Sequence, residues 1–163
     1  MGFWEKVLPG YKGYKEREGS RNTDKILREY LTAKLKESRS RYDDFKVELT
    51  DRGNLNLFKP AEKVTQVLSR VTNRVRYANY GFSGRWLGQK IEVKELDQVH
   101  DFDKKLATKV SEFEEAVKGL EGLDDDDAIT SALKDLAGML RDMDESLNDR
   151  EQILRTFGGD PEK

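Results

Sequence analysis

The chain reads as an all-α protein, an antiparallel bundle of about four helices. Three observations predict this. Four stretches carry apolar residues at spacings of three and four, the period of an amphipathic helix face. Of the 163 residues 38% are charged and only three are proline, a composition suited to long solvated helices. Apolar runs are never more than a few residues long, so no segment reads as membrane-spanning. The length is that of one domain, able to bury roughly 70% of its unfolded surface without a covalent staple.

The first helix is expected from Asp24 to Leu49, with Thr23 as N-cap and Leu27, Tyr30, Leu31, Leu35, Tyr42, Phe45 and Leu49 on one stripe. Its middle turn, Glu37 to Arg41, is polar, so the stripe thins there. Gly53 is placed to end it in the left-handed conformation. Leu55-Asn56-Leu57-Phe58 has a strand-like alternation too short to set against the helical frame. The second helix is expected to open at Pro60, where a missing N–H costs nothing, and to bury Val64, Val67, Leu68, Val71, Val75 and Ala78.

The third is expected from Val93 to Leu120, on Leu96, Val99, Phe102, Leu106, Val110, Phe113, Val117 and Leu120, close to a coiled-coil seam. Gly119 and Gly122 stop it. Asp124 to Asp127 suit the positive end of a fourth helix. That helix follows Ile129, Leu133, Leu136, Leu140, Met143, Leu147 and Leu154, with one break at Arg150 and Glu151, where a core residue is due. At about 1.5 Å per residue the first, third and fourth helices are each roughly 40 Å long, a match that favours a bundle.

The chain thus divides into an aromatic and basic N-terminal segment (1–20), a helical domain (21–157) and a short flexible tail (158–163). Charge divides differently. Residues 1–91 hold 20 Lys and Arg against 11 Asp and Glu, whereas residues 92–163 hold 10 against 21. The simplest expectation is that a basic half packs beside an acidic half, leaving no single large basic face. The sharper one is that the basic half meets an anionic partner.

Known reaction chemistries find little here. Without cysteine there is no thiolate nucleophile, disulfide or Cys-based metal site. His100, the only histidine, adjoins Asp101 and Asp103, but neighbouring helical positions point apart, so it reads as a surface residue. Asp124 to Asp127 lacks the alternating ligands, central glycine and closing glutamate of a calcium loop. Gly81, Gly84 and Gly88 miss the dinucleotide spacing, and no phosphate loop or nucleophile elbow is present. A di-iron bundle needs two Glu-x-x-His motifs, which one histidine cannot supply. The expectation is a protein without catalytic residues, metal or cofactor.

The distinctive residues lie in two segments interrupted by glycine, 2–15 and 77–88, which hold both tryptophans and four of the six tyrosines. They admit three readings: a packed cap on the bundle, a partner-protein surface, or a nucleic-acid platform in which Arg70, Arg74, Arg76 and Arg85 accompany stackable rings. The candidate partner-binding residues are Trp4, Tyr11, Tyr14, Arg74, Tyr77, Tyr80, Phe82, Arg85 and Trp86. The net charge of −2 weighs against nucleic acid as the main ligand. Residues 1–15 also offer Phe3, Trp4, Val7 and Leu8 with Lys6, Lys12 and Lys15 for peripheral contact with a membrane surface.

The run Pro9-Gly10-Tyr11-Lys12-Gly13-Tyr14-Lys15-Glu16, followed by Asp24 to Glu29 and by Ala78-Asn79-Tyr80-Gly81-Phe82-Ser83-Gly84, resembles a family of small prokaryotic helical proteins without an assigned activity. The resemblance covers most of residues 9–103. It implies a helical protein with no known catalytic residues, and it joins the two aromatic segments as one unit. The sequence departs from it at Glu18 to Asn22, which weakens a continuous first helix there. The reading is therefore a helical interaction or scaffold protein binding another protein or itself. Its rival is a nucleic-acid or anionic-membrane binder using the basic half. No signal peptide or myristoylation pattern opens the sequence, and a cytoplasmic location is expected.

Overall fold

The computed structural model describes residues 17–77 and 93–158, and these form four α-helices: α1 (Arg17–Asp51), α2 (Leu55–Arg76), α3 (Val93–Lys118) and α4 (Asp126–Gly158). α1 and α2 make one antiparallel hairpin, α3 and α4 another. The hairpins lie side by side with α1 against α3 and α2 against α4, so α2 and α3 occupy opposite corners. Both turns are at the same end. There Arg52 donates to the Leu123 carbonyl at 2.7 Å and Asn54 to Asp126 at 2.9 Å. The neighbours across the hairpins, α1 with α3 and α2 with α4, consequently run in the same direction.

Local chemistry fixes the turns. α1 closes in a Schellman motif: Asn54 N–H bonds the Leu49 carbonyl, Gly53 N–H bonds that of Thr50, and Gly53 takes φ +74°. α4 is capped by Asp125, whose carboxylate accepts from the Ala128 N–H at 3.0 Å while Asp126 and Asp127 fill the first turn.

Two helix starts differ from expectation. α1 begins at Arg17 and runs through Thr23, so Thr23 is no cap and the departure at Glu18 to Asn22 does not interrupt it. Extending an existing helix backward gains a hydrogen bond per residue without renewed nucleation, and one glycine costs only about 1 kcal/mol. α2 begins at Leu55, not Pro60, and takes in the stretch that alternates like a strand. Leu57 is buried on the same stripe as Ala61, Val64, Leu68, Val71 and Val75, which draws the first turn into the helix. Pro60 removes only the bond to the carbonyl of Asn56, an exposed residue.

The core is one continuous cluster from all four helices. Tyr42 is fully buried at its centre, its hydroxyl donating to the Ala61 carbonyl at 2.5 Å. Burial, reinforced by Glu62 and Asp43, pushes this phenol well above its ordinary value. In the thin middle of the α1 stripe Ser38 occupies the core position, with no hydrogen-bond partner for its hydroxyl among the described residues. Val67 is only partly buried, against the cluster. The side chains of Leu96, Val99, His100 and Leu154, and Ala78 altogether, lie outside the described residues.

Candidate functional site

The buried positions of α3 count back from Leu120 through Val117, Phe113, Val110 and Leu106 in steps of three and four. The next step lands on Asp103, not Phe102, which is half-buried. The same count on α4, from Ile129 to Leu147, lands on Arg150. Among the described residues each helix therefore has one charged residue in its core stripe, and the two meet. Arg150 Nε donates to Asp103 Oδ1 at 2.8 Å, with the side chains 8% and 3% exposed. Asp103 Oδ2 has no hydrogen-bond partner among the described residues. A cavity of about 20 Å³ adjoins the pair, walled by Leu27, Leu31, Val75, Leu106 and Leu147 together with Arg28. That volume suffices for about one water.

Burial pushes the Asp103 carboxyl above the ordinary carboxylate value, while the charge and hydrogen bond of Arg150 pull the other way. The described residues around the cavity provide neither a nucleophile nor a second carboxyl group. The pair ties α3 to α4 at one position along their length.

Charge joins the hairpins. Asp144 on α4 accepts from Arg74 at 2.8 Å and from Arg70 at 2.6 Å, both on α2. Arg74 also reaches Asn148 at 2.8 Å and Glu151 at 3.3 Å, and Lys34 on α1 faces Glu114 on α3 at 3.7 Å. Burial alone would raise the Asp144 carboxyl. The hydrogen bonds and charges of the two guanidinium groups together outweigh it and hold the group below the usual carboxylate range. The described part of the basic half, 17–77, thus packs on the described part of the acidic half, 93–158, with the pairing concentrated where α2 meets α4.

Two of the nine candidate partner-binding residues fall within the described chain. Arg74 is committed inside the bundle, its donors spent on α4. Tyr77, just past the end of α2, is 69% exposed, with the Arg76 guanidinium 5.1 Å from its ring centroid. Trp4, Tyr11, Tyr14, Tyr80, Phe82, Arg85 and Trp86 lie outside the described residues, as does the single unit of two aromatic segments that the resemblance implies.

What sequence reasoning missed is the outer face of α2. Opposite its core stripe runs a second series at helical spacing, Leu55, Lys59, Lys63, Gln66, Arg70, Asn73 and Tyr77, every member exposed and none acidic. A groove of about 190 Å³ between α1 and α3 is rimmed by Arg41, Asp44, Glu48, Lys118 and Glu121, charges of both signs that converge on no single chemistry. Among the described residues no cluster of three or more acidic or histidine side chains is arranged to hold a metal, and no helix is long and apolar enough to cross a membrane.

Comparison of the chain with protein-family models, curated proteins and solved structures returns no match.

Proposed function

We propose that this chain is a non-enzymatic helical interaction module, which presents docking surfaces rather than a reaction centre. The observation that carries the proposal is one-sided exposure. Ile26, Val47, Leu55, Phe58 and Tyr77, the exposed large apolar residues among those described, all stand on the first hairpin. The second hairpin presents a charged exterior. Large apolar side chains left in water on one side of a well-packed bundle suit contact with a partner.

The helix ends support the same reading. Leu27, Val75 and Asp103 share one cavity, so the start of α1, the end of α2 and the start of α3 belong to one end of the bundle. The segments carrying Trp4, Tyr11 and Tyr14 and carrying Tyr80, Phe82, Arg85 and Trp86 are attached at that end. Kinship with the prokaryotic family that has both motifs, a cytoplasmic location, and a protein partner or second copy complete the reading. A second reading, attachment to an anionic surface, is favoured by the acid-free outer stripe of α2.

The test is a photo-crosslinking amino acid at Leu55 of the full chain, with a control at exposed Ser131 on α4, expressed in the native host. Adducts from position 55 alone are expected, to protein on the first reading and to lipid on the second. Equal labelling from both positions, or none from either, overturns the proposal.

A further inference from the structure

We infer that the outer face of α2 is a docking surface for an anionic lipid bilayer, which gives the interaction module proposed above a specific partner. α2 spans 22 residues, about 33 Å. Its outward stripe begins with Leu55, 79% exposed, continues through Lys59 and Lys63, and ends at Tyr77. Phe58, also exposed, lies one turn from Leu55. The helix holds five basic residues and a single acidic one, Glu62, which Lys46 engages at 2.8 Å. Arg70 and Arg74 are shared with Asp144, so the charges left facing outward are chiefly Lys59 and Lys63.

Three occupants compete for such a face. A second copy would have to offer its acidic hairpin, since only that half complements the lysines. No exposed large apolar residue is found among the described residues of that hairpin, so Leu55, Phe58 and Tyr77 would gain nothing. A nucleic acid would use the lysines, but an aliphatic Leu55 has no stacking role, and Arg76 already lies over the Tyr77 ring. A bilayer uses everything present. Leu55 and Phe58 enter the acyl boundary, Tyr77 sits at headgroup level, and the lysines meet anionic headgroups. α3, diagonal to α2, is then carried on the far side of the bundle from the lipid.

The experiment is co-sedimentation of the full chain with vesicles. The chain should bind phosphatidylcholine vesicles containing about one-third phosphatidylserine and not phosphatidylcholine alone, and should be released near 1 M salt, where screening falls to about 3 Å. Lys59→Gln with Lys63→Gln should lower the vesicle partition roughly thirtyfold, about fivefold for each basic residue. Leu55→Ser with Phe58→Ser should lower it about tenfold or more. Both variants should keep the parent's circular dichroism and thermal midpoint, because the altered side chains are exposed.

Equal binding to both vesicle types overturns the inference. So does binding that survives both double variants, or retention of RNA with the same lysine dependence and no vesicle binding. The two proposals fail separately. Protein adducts from the crosslinker at Leu55 without vesicle binding would remove the bilayer and leave the interaction module. Absence of both would remove the two together.

Discussion

Replacing Asp103 by leucine should cost far more than replacing Asp103 and Arg150 together. The Arg150 guanidinium is almost wholly buried and Asp103 Oδ1 accepts its Nε at 2.8 Å. Removing the carboxylate leaves a cation among Leu27, Leu31, Val75, Leu106 and Leu147 without that compensation. Breaking a buried pair in this way costs about 3–5 kcal/mol. The double variant Asp103→Leu with Arg150→Met removes both desolvation penalties and fills the space with unbranched and branched carbon. Such exchanges are neutral or stabilise by about 1–4 kcal/mol, less a small term if the cavity of about 20 Å³ grows. Urea unfolding reads the difference directly. With a slope of about 2 kcal/mol per molar, the single variant should lose about 2 M in midpoint and the double variant should fall within about 0.5 M of the parent or above it. If the single change costs under about 1 kcal/mol, the remaining contacts of Arg150 carry its charge without the carboxylate. If the double variant is as unstable as the single, the packing of the Arg150 stem carries the energy, not the ion pair.

Other expectations follow from single contacts. Asp144, held below the ordinary carboxylate range against the opposing effect of burial, contributes stability that is present above its unfolded value near 3.9 and lost as pH falls through its lower folded value. Thermal midpoints measured across that acid range should fall in the parent, and this component should be missing in Asp144→Asn. Ser38→Ala should leave stability unchanged or raise it by up to about 1 kcal/mol, since a buried hydroxyl without a partner is exchanged for a good helix former. Calorimetric destabilisation beyond that would reveal a hydrogen bond at Ser38. Gly53→Ala should cost about 1 kcal/mol by denaturant titration, purely from φ +74°, because no atom stands within 4 Å of an added Cβ. Tyr42→Phe should cost about 1 kcal/mol through loss of the bond to Ala61, and a neutral result would mean that carbonyl is fully satisfied within its helix.

The four helices were legible because each stripe keeps one period for many turns. The Gly53 turn and the acidic cap of α4 were legible because their chemistry is local. The helix starts were less so. Nothing in Pro60 itself reveals that Leu57, three residues earlier, has a place in the core. Phe102 attracts notice as an aromatic on a helical pattern, yet strict counting from Leu120 selects Asp103. The interruption at Arg150 was visible along α4. That it faces a matching interruption on α3 depends on the length of the turn from Gly119 to Asp125, which sets the register of one helix on the other. Reading two interruptions together would have suggested a pair. The aromatic segments have no period to count, because glycine interrupts them every few residues.

The outer face of α2 shows how the packing separates fold from surface. A helix in a four-cornered bundle commits one stripe to the core and its two flanks to neighbours. On α2 the core stripe is Leu57, Ala61, Val64, Leu68, Val71 and Val75, one flank meets α1 through Glu62 and Ser69, and the other meets α4 through Arg70 and Arg74. Every acid that balances these basic residues belongs to a contact between helices or to the opposing hairpin. Nothing in the packing requires Lys59 and Lys63 to face outward while their nearest acid, Glu62, is engaged by Lys46 of α1, or Leu55 and Tyr77 to stand in water. The exposed faces of α1 and α4 mix both signs of charge, as solvation alone would produce. A face of one sign bounded by apolar groups is the part of this surface that folding does not account for, and it is there that a binding partner is to be sought.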